Sequence, residues 1–184
     1  MRKILASCIT AITMLTCLAG CHSTAVTGAK LSEPTAPVKR IYIYADDTDR
    51  YTDPNFPEIK IPPLLISTQR QILDLLAVRL PAVFVKHGID AKVVLKSRAG
   101  TDEKAVQTTY PYYMEIVPGR GTFSPNSGTS IILKGHLVEN ATRIRVWQGE
   151  TRFLNLNNPT LLESAGDHVA EAILSQLQKD GLIK

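Results

Sequence analysis

All three cysteines of this 184-residue chain, Cys8, Cys17 and Cys21, fall within its first 21 residues. Everything downstream must therefore fold without a disulfide and without a thiolate metal site. A buried apolar core has to suffice, and residues 22–184 make a chain long enough for one domain with such a core. The composition agrees, with 44% apolar and 21% charged residues. It excludes a mostly disordered chain, a collagen, a coiled coil and a polytopic membrane protein. The formal net charge is +4, and two of the positive charges are Arg2 and Lys3. A balance that small gives no ground for a nucleic-acid partner.

The N-terminal segment has the layout of an export signal. Arg2 and Lys3 form a short positive region, and Ile4–Leu18 is an uncharged apolar run of 15 residues. Spanning a bilayer takes about 20 apolar residues, so the run fits a signal peptide better than an anchor helix. It ends at Leu18-Ala19-Gly20-Cys21. This resembles the lipobox of bacterial lipoproteins: a leucine, two small residues and a cysteine. The resemblance implies cleavage after Gly20, so that residues 1–20 are removed. It also implies a diacylglyceryl thioether on Cys21 and acylation of the new amine. Acyl chains in that number exceed what stable anchoring needs. His22, where Asp would mark inner-membrane retention, implies the outer membrane with the domain facing the periplasm.

Residues 21–38 are small and polar and contain Pro34 and Pro37, which reads as a flexible tether. Residues 39–184 then form one α+β domain. Lys39–Ala45 alternates Ile41 and Ile43 with Tyr42 and Tyr44, a strand pattern. Residues 46–63 read as a long irregular loop rich in Asp and Pro. Leu65, Ile72, Leu76, Leu80 and Phe84 recur at helical spacing. Ser67 or Thr68 supplies the cap, Pro81 is expected to kink or split the helix, and Gly88 ends it. Strands follow at 89–96 and 110–117, joined by a polar connection. A hairpin of 130–138 and 143–154 comes next, where Gly149 suggests a bulge. A last helix starts at Asn158-Pro159 and stops at Gly181. The order β-α-β-β-β-β-α predicts a two-layer sandwich, a mainly antiparallel sheet of about five strands with two helices on one face.

No nucleophile elbow, zinc-protease pair or phosphate loop occurs. The four histidines form no ligand pair, so neither a metal nor a cofactor is expected. Asp46, Asp47, Asp49 and Asp53 offer the one carboxylate cluster. It lacks the glycine and glutamate of a calcium loop, and a solvated turn is the simpler reading. A wall or lipid hydrolase would have to use it. The surface is more informative. In the hairpin Lys134 and His136 alternate with aliphatic residues, and Arg143, Arg145 and Trp147 do so on the partner strand. With the helices over the aliphatic side, Lys134, His136, Arg143, Arg145 and Trp147 share the other face, joined by Tyr42 and Tyr44. Arg beside aromatic side chains is what interface centres favour. A solvated face whose Arg and Trp merely cover each other remains the alternative.

With lipobox, tether and this element order, the chain resembles small periplasm-facing lipoproteins of envelope assembly. These include the lipopolysaccharide-assembly lipoproteins, transporter-auxiliary lipoproteins and the ring-forming lipoproteins of exopolysaccharide export. The likeness is carried by the strand 39–45, by Val146-Trp147-Gln148-Gly149 and by the closing segment 179–183. It implies a non-enzymatic adaptor or accessory subunit, with an envelope protein or a second copy as partner. The residue pattern leaves a second reading, a binding module for an anionic lipid or polysaccharide that uses Lys134, Arg143 and Arg145.

Overall fold

The computed structural model describes residues 25–48, 52–53, 56–119, 121–124, 128–154 and 159–183. The expected signal segment, the expected lipidation site Cys21 and the expected cap Asn158 lie outside the described residues. The strands are β1 (Ala25–Lys30), β2 (Arg40–Ala45), β3 (Thr52–Asp53), β4 (Phe56–Lys60), β5 (Asp90–Leu95), β6 (Tyr112–Pro118), β7 (Thr122–Ser124), β8 (Gly128–Glu139) and β9 (Arg145–Phe153). The helices are α1 (Pro63–Lys86), α2 (Glu103–Thr108) and α3 (Pro159–Lys179).

The α+β class holds, and the sheet is larger and more mixed than the sequence suggests. Its order is β1-β9-β8-β6-β2-β5, with β7 paired to β8 and β3–β4 forming a separate two-stranded pair inside the Asp- and Pro-rich loop. β2 lies between two parallel neighbours, β5 and β6, and the other pairings are antiparallel. The parallel β2–β5 pair is the product of the α1 crossover. The second parallel pair requires the chain to pass from β5 across β2 to β6. A 3-10 turn at Lys96–Arg98 and helix α2 make that passage, where a polar connection was expected.

The two long helices form as their apolar spacing dictates. In α1, Leu65, Ile72, Leu73, Leu76, Leu80, Val83 and Phe84 are buried. It begins five residues earlier than the Ser67 cap implies. Pro62 sits at the N-cap, and a proline at the first helical position lacks only a donor that would have no partner there. The Ser67 and Thr68 hydroxyls bond back to the Leu64 carbonyl instead. The helix continues through Pro81 as one element. Gly88 (φ 73°) and Gly181 (φ 72°) end α1 and α3 in the left-handed region that glycine tolerates. Each takes part in a Schellman pair of bonds, Gly88 N–H to Val85 O with Ile89 N–H to Phe84 O, and Gly181 N–H to Gln178 O with Leu182 N–H to Leu177 O.

The expected tether is the main correction. Residues 25–30 are the edge strand β1, paired along its length with β9. Residues 31–38 are docked as well. Thr35 donates to Glu139 Oε1 from its amide (3.0 Å) and from its hydroxyl. The Tyr112 hydroxyl meets both Ala36 and the Glu139 carboxylate, and Val38 is buried. Small residues carry no apolar alternation, so this strand leaves no trace in the pattern. What recruits it is Trp147. Gly28, Gly149 and Gly135 stand side by side on β1, β9 and β8, and the indole lies over all three. A Cβ on Gly149 would sit 2.3 Å from the ring and 2.7 Å from the Thr27 carbonyl oxygen. Gly149→Ala is therefore expected to cost about 2–3 kcal/mol, measured as a lower urea midpoint at unchanged slope.

Candidate functional site: the open sheet face

The helices α1 and α3 cover one side of the sheet. The other side is divided. Over β2 and β5 it is closed by the α2 segment, and over β6, β8, β9 and β1 it is open. The residues expected together on this face separate into three groups.

Lys134, His136 and Arg145 share the open face. Lys134 and His136 are alternate residues of β8, and Arg145 starts the neighbouring strand. Cross-strand pairing puts Glu115, His136, Gln148 and Ala29 in one row, and Lys134, Glu150 and Thr27 in the next.

Tyr42 and Tyr44 point to this side too, but Tyr42 is fully buried beneath the crossover segment. Its hydroxyl donates to Glu103 Oε1 at 2.6 Å, its ring meets Tyr110 edge-on, and Lys92 lies over it. Burial, then the Glu103 contact, pushes the Tyr42 phenol far above its ordinary range. It is a packing residue. Tyr44 is half-buried, and burial raises its phenol as well.

Trp147 and Arg143 leave the group altogether. Trp147 is 2% exposed and lies on the helix side, where its Nε1 donates to Asp180 at 2.7 Å. The cause is a β-bulge. Leu137 faces Trp147 while Val138 faces Arg145, so Val146 is an extra residue and the alternation resets. Both Val146 and Trp147 thus turn inward. Arg143 belongs to the β8–β9 turn at φ 59°, its guanidinium bonded to Asn140.

The open face carries a groove of about 430 Å³ lined by Thr27, Ala29, Lys134, His136, Gln148 and Glu150, with Gly28 and Gly149 in its floor. Four of those six side chains escape the sequence reading, because β1 is invisible as a strand and the residues of β9 shift sides at the bulge. The glycines at 28, 135 and 149 are the one available signal, and only their alignment across three strands gives it meaning.

The electrostatics of the groove centre on His136. Its Nδ1 is buried and has no hydrogen-bond partner among the described residues. Burial, reinforced by Arg145 and Lys134, holds the imidazole below its usual pKa against the opposing pull of Glu115. These influences favour the neutral ring. Lys134 reaches Glu150 only at 4.0 Å, with both side chains about half exposed. Such a contact is worth little, and Lys134 remains available to a ligand.

The Asp cluster serves structure. Asp47 accepts from the Ser97 amide (2.8 Å) and hydroxyl, and Asp46 from Thr48 and Lys96. They tie the end of β2 to the 3-10 turn, and both are buried. Asp49 and the Asp53 side chain lie outside the described residues. Among the described residues no three metal-ligating side chains come together, and no helix is long and apolar enough to cross a membrane.

No known family model matches the chain, and no curated protein does. Solved structures resemble it distantly. The PelC dodecamer from Paraburkholderia phytofirmans is 14% identical, with 84% of this chain and 97% of that one covered and a TM-score of 0.49. A point-variant form of that dodecamer gives 16% identity over 84% and 98%, with a TM-score of 0.46. Protein XCC0632 from Xanthomonas campestris, of family model DUF330, gives 11% over 81% and 92%, with a TM-score of 0.38. Likeness at this level transfers no role, and function has to be argued from this chain's own residues.

Proposed function

We propose that this chain is a lipid-anchored, non-enzymatic accessory subunit of an outer-membrane complex, working in transport, assembly or export from the periplasmic side. The observation that carries the proposal is a distance along the chain. Edge strand β1 starts at Ala25, four residues after the lipobox cysteine. Four residues reach about 14 Å even when fully extended. A domain held on so short a leash sits against the leaflet. Its Ala25 end, where β1 meets Arg152 of β9, is near the membrane, and the β8–β9 turn at 140–144 points away from it. The open face then stands beside the anchor, turned sideways toward neighbouring proteins. β1 adds an edge whose outer backbone groups pair with no strand among the described residues, a surface well suited to a protein partner or a second copy.

A photo-crosslinking amino acid at Thr27, on the exposed face of β1, tests this against one at Glu171, on the exposed face of α3. In intact membranes the Thr27 position is expected to give one discrete adduct, and the Glu171 position none. Monomer alone at both positions, or the same adducts from both, would remove the accessory-subunit reading. Mass spectrometry of the N-terminal peptide examines the anchor separately, and a free thiol at Cys21 would remove it.

A further inference from the structure

We propose that the open-face groove is a binding site for a carboxylate-bearing oligosaccharide, a property independent of the anchor. Its volume of about 430 Å³ falls in the range of small-ligand sites, roughly 300–1,000 Å³. Its chemistry is that of a polyhydroxylated anion. Lys134 is a cation held by one long contact, and Arg145 and Arg152 stand at the two ends of β9 on the same face. Neither guanidinium makes an ion pair with another described residue. Three cations along one strand direction match charges that repeat along a polymer better than a single ion.

The groove wall between them is mixed. Thr27 and Gln148 both donate and accept, and Glu150 accepts. A phosphate at neutral pH brings Glu150 one or two P–OH groups on an anion that the carboxylate repels, whereas a sugar ring brings several neutral hydroxyls. No Phe, Tyr or Trp lines the groove, so the recognition is by hydrogen bonds and charge. His136 lines the groove next to Lys134 on the same strand. A carboxylate beside Lys134 and His136 would offset the cations that now disfavour a proton on the ring.

The test uses the full mature protein in detergent, labelled for imidazole NMR, with trigalacturonate as probe, and maltotriose and inorganic phosphate as comparators. Trigalacturonate is expected to bind, to shift the His136 ring nitrogens and to move its titration upward. Binding should weaken with added salt and at least about tenfold in Lys134→Ala. Lys134 is half exposed, so that variant is expected to fold, and the His136 signal in the unmodified protein gives a second reading. Absence of binding would overturn the proposal. So would equal binding of maltotriose, or complete displacement by equimolar phosphate. Binding that leaves the His136 ring unmoved would place the ligand elsewhere and overturn it too. None of these outcomes depends on Cys21, so failure here is distinguishable from failure of the anchored-subunit reading.

Discussion

Trp147→Ala is expected to remove about 4 kcal/mol of stability, a large share of what holds an ordinary domain together. In a chain of this size that corresponds to a fall in Tm of roughly 8–16 °C. Three losses combine. The indole leaves a void over Gly28, Gly149 and Gly135, none of which has a side chain to fill it. Asp180 loses the donor at 2.7 Å. β1 loses the side chain that packs its glycine against the sheet, so the edge strand is the first element expected to open. Amide exchange along residues 25–30 should report that opening before global unfolding does. The double variant Trp147→Ala/Gly149→Ala should cost clearly less than the sum of the two single changes, since the nearest clash of a Cβ at Gly149 is with a ring that is no longer there and only the Thr27 carbonyl oxygen remains in its way. Strict additivity would mean that the ring and the glycine row are not coupled.

Glu139→Ala is expected to cost about 3 kcal/mol. The carboxylate is buried and accepts from the Thr35 amide and hydroxyl, from Tyr112 and from Thr142. The Thr35 hydroxyl is the largest influence that holds its pKa below the usual carboxylate value. A depressed carboxylate pKa fixes the sign of the pH dependence. Glu139 contributes its full stabilisation above the unfolded value of about 4.3, and the contribution drains away as pH falls through the lower folded value. Urea midpoints measured from pH 7 to pH 3 should therefore fall less steeply in Glu139→Ala, and the two proteins should converge at the acid end. Parallel curves would show that the carboxylate titrates alike in the folded and unfolded chain. The variant should also free residues 31–38, seen as proteolytic cleavage in that segment.

The open-face groove was only partly legible in the sequence. In the structure Lys134, His136 and Arg145 share the side away from the long helices, and for the two β8 residues local parity suffices because that strand runs without interruption. Trp147 was assigned to that side and lies on the other. One extra residue at Val146 reverses parity, and a bulge shows itself only when the register against Leu137 and Val138 is known. Arg143 was counted with the row because the turn could not be bounded. The Tyr42 ring was placed on the correct side but is sealed beneath α2, a six-residue helix too short to leave a period.

The sequence alone determined the features set within a few residues of each other. These are the cysteine-free domain, the two long helices with glycine stops at 88 and 181, and the Ile–Tyr alternation of β2. Each follows from backbone freedom or side-chain spacing along one stretch of chain. The tertiary structure alone decided what depends on partners far away. Residues 25–30 become a strand only because β9 offers an edge and Trp147 a ring that glycines can approach. The connection after β5 becomes a helix over Tyr42 only because β6 must reach the far side of β2. The groove exists only where β1, β8 and β9 meet. A contact more than a hundred residues away in the chain, such as Thr35 with Glu139, has no local signature, because its free energy is realised only after the rest has packed.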